Sequence, residues 1–148
     1  MKTLVVYYSR TGNTKKVAED IAKELKADVD EIKDKAKREG FFNYFKSGYH
    51  AARKKLTEIG TAKDPFKYDL VIIGTPVWSW TVTPAVRTYM DKNEFKKVAF
   101  FCTCGGQKGK TFEEMEKLSK KPLAKLEIKE KQIPKSEHLI KKFCVYLR

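Results

Sequence analysis

The chain has 148 residues, of which 41% are hydrophobic, and this composition favours one globular domain over residues 1–148 rather than a disordered chain. No apolar stretch approaches the roughly 18 residues that a membrane-spanning helix needs, and the first apolar run is too short for a signal peptide, so we expect a cytoplasmic protein without a membrane span. The net charge of +13 arises from lysines interleaved with glutamates along the whole chain, which indicates a solvated basic surface and leaves a partner with an acidic surface open.

Apolar periodicity predicts strands and helices in alternation. The predicted strands lie at residues 3–8, at 29–32, at 70–73, at 98–102 and at 123–128. The predicted helices lie at 17–25, at 40–58, at 84–90, at 111–118 and at 139–147. Two of these helices carry start signals, because Thr83-Pro84 is a cap residue followed by proline and Thr111–Glu114 has the spacing of a capping box.

Five strands that alternate with about five helices, with short connections, predict an α/β fold with a doubly wound, five-stranded parallel sheet. In such sheets, ligands bind beyond the carboxyl ends of the strands, at the point where the strand order reverses. The loops that follow residues 8, 74 and 102 are therefore the candidate functional loops.

The first of these loops, Ser9–Thr14, joins a predicted strand to a predicted helix. It offers three hydroxyls, one amide side chain, a glycine and the free N–H groups of a helix start, a combination that favours a phosphate. Neither the GxxxxGKS/T sequence of a P-loop nor the GxGxxG dinucleotide sequence is present, which indicates a single phosphate group. An ordinary turn capped by Thr11 or Asn13 is the alternative.

The same segment resembles the phosphate loop of flavodoxins, Ser/Thr-x-Thr-Gly-x-Thr, and matches it at every defining position. The strand count, the chain length and the other two loops agree, so the resemblance covers nearly the whole chain. It implies the sheet order 2-1-3-4-5 and FMN as the cofactor. It also implies that the loop binds the FMN phosphate, through the residues Ser9, Arg10, Thr11, Gly12, Asn13 and Thr14.

The second loop contains two tryptophans within three residues, in the segment Thr75, Pro76, Val77, Trp78, Ser79 and Trp80. A flat conjugated ring stacks well on indole, although a single tryptophan can also cover a helix end. The resemblance implies that this loop flanks the flavin ring, with Pro76, Val77 and Trp78 as the nearest match, and that its backbone near Val77–Ser79 contacts the flavin N5. Trp80 then either covers the outer edge of the ring or forms a docking surface.

The third loop follows the fourth predicted strand and comprises Cys102, Thr103, Cys104, Gly105 and Gly106. A Gly-Gly pair lets the backbone approach a ligand and present its N–H groups. The resemblance implies that this loop holds the second face and the pyrimidine end of the flavin. The two cysteines are interpreted as small residues that pack against a ring, with a reactive thiol as the alternative, and we expect no metal site.

Two further features depart from acidic, minimal flavodoxins. The segment Phe41–Tyr49 is more aromatic than a surface helix should be, which indicates a contact over the flavin edge, with a partner or in a homodimer. Arg10, Lys15 and Lys16 flank the phosphate loop, and positive charge there predicts a less negative potential for full reduction.

Three classes of function are compatible with the sequence. The first is an electron carrier that exchanges electrons with redox partner proteins. The second is a flavin-dependent oxidoreductase of the same fold, such as an NAD(P)H:quinone reductase or a protoporphyrinogen-oxidase-like enzyme. The third is a non-redox binding module. A phospho-receiver is disfavoured because Gly74-Thr75 stands where its aspartate is needed, and no specific nucleic acid is expected because the aromatic and basic residues do not interleave.

Overall fold

The computed structural model describes residues 1–35 and 58–148. Residues 40–57 of the predicted helix over 40–58 lie outside the described residues, and so do the aromatic segment Phe41–Tyr49 and the homodimer contact assigned to it. In the described part of the chain, no helix is both long enough and apolar enough to cross a lipid bilayer.

The described residues form alternating strands and helices. The strands are β1 (Thr3–Tyr7), β2 (Asp28–Glu31), β3 (Lys33–Asp34), β4 (Ile59–Gly60), β5 (Leu70–Trp78), β6 (Thr81–Val82), β7 (Val98–Cys104) and β8 (Lys125–Lys129). The α-helices are α1 (Asn13–Leu25), α2 (Pro84–Lys92), α3 (Thr111–Leu118) and α4 (Glu137–Leu147). Two 3-10 helices, Pro65–Lys67 and Glu130–Lys135, precede β5 and follow β8.

The central sheet has five parallel strands in the order β2-β1-β5-β7-β8, which is 2-1-3-4-5 in chain order and confirms the predicted topology. The chain runs from β1 outward to β2 and then returns to the other side of β1 for β5. The strand order therefore reverses between β1 and β5, and ligand sites of such sheets lie at the carboxyl ends of these two strands.

Helices cover both faces of the sheet because the residues of each central strand alternate between two cores. Val5 and Tyr7 of β1 pack with α1 and α4 on one face, whereas Leu4 and Val6 pack with α2 and α3 on the other. Both faces of β1, β5 and β7 are buried, so these strands are continuous apolar runs in the sequence. The two helical layers leave the carboxyl edge of the sheet to the loops.

Gly74 lies where the backbone of β5 packs directly against an aromatic ring of the core. A Cβ atom at this position would overlap the ring of Phe101, which lies on the neighbouring strand β7. Only glycine leaves room for that ring, so Gly74 is a packing requirement of the central strands.

The structure corrects four local expectations. Residues 103–104, predicted as loop, complete β7. Residues 75–78, predicted as loop, continue β5, which pairs antiparallel with β6 through a two-residue turn. The last strand begins at Lys125 rather than at Leu123. The capping box at Thr111–Glu114 is wrong, since Lys110 is the N-cap and the Thr111 hydroxyl donates to the Lys108 carbonyl.

Candidate functional site

The three candidate loops converge at the carboxyl edge of the sheet. The parallel register places Tyr7 beside Gly74 and Pro76 beside Thr103, so the ends of β1, β5 and β7 lie side by side. Two clefts with shared walls open there. The first, about 340 Å³, is lined by Arg10, Thr11, Asn13, Thr14, Pro76, Val77, Trp78, Thr103, Cys104 and Glu130. The second, about 450 Å³, is lined by Val77, Ser79, Trp80, Cys104, Gly105, Gly106 and Gln107.

The first loop ends in a tight turn at Gly12, which adopts φ 100°. Its N–H donates to the Ser9 hydroxyl over 3.1 Å, so Ser9 closes the turn from behind and does not line the cleft. The first hydrogen bond of α1 joins Lys16 N to Gly12 O over 3.0 Å. The N–H groups ahead of this bond have no acceptor within the helix, and Asn13 and Thr14, the first two residues of α1, line the cleft.

Thr14 and Thr103 connect the first loop to the third. Their hydroxyl oxygens lie 2.7 Å apart, and both side chains are buried. Thr14 is the second residue of α1 and Thr103 is the penultimate residue of β7. The pair therefore ties the helix start to the end of the adjacent central strand.

Trp78, in the second loop, contacts Arg10 of the first loop and Tyr8, the residue that follows β1. The guanidinium carbon of Arg10 lies 5.6 Å from the centroid of the Trp78 ring. The Tyr8 ring meets the same indole edge-on, with centroids 5.6 Å apart and planes at 84°. Two partners therefore fix the orientation of this tryptophan at the wall of the first cleft.

Trp80 lies on the turn that joins β5 to β6. Ser79 and Trp80 have φ 50° and φ 59°, the left-handed conformation at both central positions of a type I′ hairpin. This conformation costs roughly 1–2 kcal/mol for each residue that is not glycine. The Trp80 side chain is 68% exposed at the rim of the second cleft.

The segment before α3 holds this strained turn in place. Lys110 N donates to Trp80 O over 2.9 Å. Gly109 has φ 55°, and a Cβ atom there would overlap the backbone of Trp80. The second and third loops are therefore in direct backbone contact.

The two cysteines of the third loop have different positions. Cys102 is fully buried in the core on the α2–α3 face, whereas Cys104 lines both clefts. The Cys104 thiol donates to Glu127 Oε2 over 3.6 Å. Burial first, and then the Glu127 carboxylate, raise the pKa of Cys104 to about 11, so its thiol stays protonated near neutral pH.

Gly105 and Gly106 are exposed beside Cys104. The space around Gly106 is open, since a Cβ atom there would have no neighbour within 4 Å. Thr75, by contrast, is fully buried, and its hydroxyl donates to the Pro76 carbonyl over 2.7 Å. Gly105-Gly106 thus forms a wall of the second cleft, and Thr75 supports the second loop from behind.

Charges around the first cleft are more balanced than the sequence indicates. Lys15 and Lys16 form exposed ion pairs with Glu19 and Asp20, one turn along α1. Glu130, from the 3-10 helix after β8, lines the cleft, although sequence reasoning missed it because no local motif links it to the loop. Arg10 is therefore offset by a carboxylate within the same cleft.

The donor set fits FMN. Hydroxyl and N–H groups at a helix start are complementary to a phosphate, and the tryptophans and Gly105-Gly106 offer an aromatic surface and backbone polar groups to a flat ring. Among the described residues, no three His, Cys, Asp or Glu side chains converge as a metal site. The arrangement is therefore suited to a phosphorylated aromatic cofactor.

Solved structures with the same fold include flavoproteins. A flavoprotein from Lactobacillus acidophilus NCFM in complex with FMN is 27% identical, with a TM-score of 0.73 over 90% of this chain and 97% of its own. The apo-form of the flavoprotein from Lactobacillus acidophilus NCFM, solved by NMR, is 32% identical, with a TM-score of 0.61 over 84% and 91% of the two chains. A flavodoxin from the domain Archaea, 20% identical, has a TM-score of 0.58 over 98% of this chain and 97% of its own, and shows the fold alone.

Among curated proteins, no sequence matches the chain. A family model described as flavodoxin matches residues 2–141, nearly the whole chain. FMN, the predicted cofactor, is the cofactor of this family. The sequence match and the sheet order lead to the same conclusion, that the chain belongs to the flavodoxin family.

Proposed function

We propose that this protein is an FMN-dependent electron carrier that acts in the cytoplasm. The exposure of the second cleft supports this proposal most directly: Trp80 is 68% exposed, and residues 105–107, which line the same cleft, are exposed as well. A ring held there has an edge within reach of a docked protein. The three buried cysteines are free thiols, in keeping with a reducing compartment. FMN supplies reversible transfer of one or two electrons.

The proposal assigns the phosphate to the first cleft and the ring to the second. Arg10, Thr11, Asn13, Thr14 and Thr103 are the polar contacts proposed for the phosphate end. The contacts proposed for the ring are Pro76, Val77, Trp78, Ser79, Trp80, Cys104, Gly105 and Gly106. Ser9, Gly12, Thr75 and Cys102 shape the loops from behind.

The proposed partner is a redox protein with an acidic surface. Lys108 and Lys110 are exposed in the segment that contacts Trp80, and the whole chain carries a net charge of +13. Opposite charge on a partner raises the rate of encounter, and an exposed aromatic residue at the centre of a contact supplies much of its affinity.

Binding and turnover assays separate carrier from enzyme. The purified protein is expected to bind FMN and to show flavin absorbance. Mixed with NADH or NADPH and a quinone, it is expected to show no turnover until a separate reductase is added. Fast quinone reduction by the protein alone would instead establish the oxidoreductase, and absence of FMN binding would contradict both.

A second assay tests the partner. Electron exchange with an acidic [2Fe–2S] ferredoxin should slow as ionic strength rises, whereas exchange with a basic c-type cytochrome should not slow. Trp80→Ala should reduce exchange with the ferredoxin. Phe66→Ala is the matched control, since Phe66 is 50% exposed but lies before β5, at the amino edge of the sheet. Equal effects of the two variants would contradict docking at Trp80.

The oxidoreductase is the second candidate because of Trp80. Its exposed indole borders the second cleft, where a planar quinone or porphyrin would stack on it. In that case Trp80→Ala should raise the KM for the quinone more than it lowers kcat. A carrier does not turn over a quinone on its own, so it has no KM for a quinone that the substitution could change.

A further inference from the structure

We infer that Thr103 is a positioning residue for the cofactor phosphate, and that it acts through the hydroxyl of Thr14. This inference rests on the proposed function, since it assumes that the first cleft holds the phosphate of FMN. It adds a residue outside the phosphate loop to the recognition of that group. Thr103 lies on β7, 89 residues away from Thr14 along the chain.

The geometry limits what the two hydroxyls do. Their oxygens are 2.7 Å apart, and Thr14 and Thr103 are only 1% and 3% exposed. Both side chains line the first cleft. A hydroxyl at that distance is engaged by its partner rather than by solvent, so the pair behaves as one unit at the wall of the cleft.

The two hydroxyl protons allow two hydrogen-bond arrangements of the pair, which differ in the residue that donates. Two hydroxyls carry two protons, and the short contact between them uses one. When Thr103 donates to Thr14, the Thr14 proton is left to be donated into the cleft. When Thr14 donates to Thr103, the helix start presents an oxygen lone pair instead.

A phosphate selects the first of these arrangements. Its oxygens are acceptors only, so a chain of donors from Thr103 to Thr14 to the phosphate satisfies every group and polarises each bond in the same sense. Without the Thr103 donor, the Thr14 proton has no fixed direction. Thr103 therefore favours a phosphate over a neutral alcohol at this position, and a ligand that lacks the phosphate gains nothing from it.

Two ligands and one isosteric change test this inference. Thr103→Val keeps the side-chain volume and removes the donor. We expect it to weaken binding of FMN about tenfold, the effect of losing one hydrogen bond to a charged group. Riboflavin, which has the same ring but no phosphate, should bind within about twofold of the native affinity, the scatter expected when no polar contact changes. Thr103→Ser keeps the hydroxyl, so the ratio of the FMN and riboflavin dissociation constants should equal that of the native protein.

Two controls separate positioning from loss of structure. Thr88→Val makes the same change at a fully buried threonine of α2, outside both clefts, and should leave the FMN-to-riboflavin ratio unchanged. Thr14→Val should also raise the dissociation constant of FMN relative to that of riboflavin, and the double variant should be no worse than Thr14→Val alone, because the two residues act in series. If Thr103→Val does not fold, Thr103→Ala provides the same comparison.

The outcomes distinguish this inference from the proposed function. If the native chain binds no FMN, the proposed function fails. If the native chain binds FMN but Thr103→Val or Thr103→Ala leaves the ratio of dissociation constants unchanged, the role of Thr103 is refuted and the proposed function stands. Strictly additive effects of the Thr14 and Thr103 variants would also refute it.

Discussion

At the scale of single residues, Gly109 keeps the strained Trp80 turn in place. Its φ of 55° is unfavourable for any other residue, and a Cβ atom would overlap the backbone of Trp80 rather than a movable side chain. Gly109→Ala should therefore lower the free energy of unfolding of the apo-protein by about 1–3 kcal/mol, measured by urea denaturation. Trp80 fluorescence should change as the turn is displaced.

Gly106→Ala is the control for this prediction. Gly106 lies three residues earlier in the same loop, in open space and without a left-handed φ. The free energy of unfolding should change by less than about 0.5 kcal/mol, as for surface substitutions in general. Equal losses in the two variants would show that the loop, and not the contact with Trp80, governs stability.

Cys104 provides a prediction on pH. Burial and Glu127 raise its pKa from 9.0 to about 11. Between these values the unfolded chain releases the proton and the folded chain retains it, so this thiol stabilises the fold below pH 9 and the stabilisation is lost as pH rises toward 11. Alkylation of Cys104 by iodoacetamide at pH 9, followed by mass spectrometry, should be at least about tenfold slower than in urea.

Substitution of the carboxylate tests the cause. Glu127→Gln removes the charge that opposes the thiolate, so the pKa of Cys104 should fall and alkylation at pH 9 should become faster. Glu116→Gln, on the exposed side of α3, should leave the rate unchanged. If the two variants alkylate at the same rate, burial alone sets the pKa.

At the scale of elements, a buried ion pair joins α2, α3 and β6 beneath the second loop. Arg87 Nη1 lies 3.5 Å from Glu114 Oε2, and Arg87 Nη2 lies 3.4 Å from the Thr81 hydroxyl. Both charged side chains are buried. The β6 strand that returns from the Trp80 turn is therefore attached to both helices of this face.

Removing one partner should cost more than removing both. Arg87→Met leaves the Glu114 carboxylate buried without its guanidinium, so it should destabilise the protein by about 3–5 kcal/mol, whereas Arg87→Met with Glu114→Leu should cost less. Lys141→Ala, which breaks the exposed pair with Glu137, should cost far less than Arg87→Met, because solvent screens that pair. Chemical denaturation of the three variants checks the order, and a double variant less stable than Arg87→Met would contradict it.

The sheet order and the main elements were predictable because they depend on strong, repeated signals. The apolar runs at 3–7, 70–73 and 98–102 are buried on both faces, and the flavodoxin-like loop at Ser9–Thr14 follows the first of them. Continuous burial makes such strands long apolar runs in the sequence, and the phosphate loop fixes the place of the first one.

The details of the site were less predictable because they depend on tertiary contacts. Ser79-Trp80 lacks the Asn-Gly or Asp-Gly pair that marks a type I′ hairpin, and the backbone of Lys110 is what holds it. The capping-box spacing at Thr111 failed because Glu114 is drawn inward to Arg87. Glu130 reaches the first cleft only through the pairing of β7 with β8.

At the scale of the whole molecule, the positive charge acts mainly at long range. Lys15 and Lys16 are paired, and Glu130 lies in the first cleft with Arg10, so the local charges nearly cancel. The attraction of an approaching anion is therefore due to the net charge of +13, which is carried by lysines spread over the surface. A less negative potential for full reduction stays a prediction, with Arg10 as the basic residue that lines the first cleft.

The long-range field predicts how FMN association depends on salt. FMN is an anion and riboflavin is neutral, so at about 0.01 M ionic strength, where the screening length is about 30 Å, the protein should capture FMN faster. Lys97→Glu with Lys121→Glu reverses two exposed lysines at the amino edge of the sheet, opposite the clefts, and changes the net charge from +13 to +9, since each reversal removes two charges. We expect this variant to slow FMN association severalfold at low salt and to approach the native rate above about 0.1 M, where charges more than about 10 Å apart are largely screened. Stopped-flow quenching of flavin fluorescence measures both rates, with riboflavin as the uncharged control. A difference between variant and native protein that persists at high salt, or that riboflavin shares, would mean that the substitutions act on the structure of the site rather than through the field.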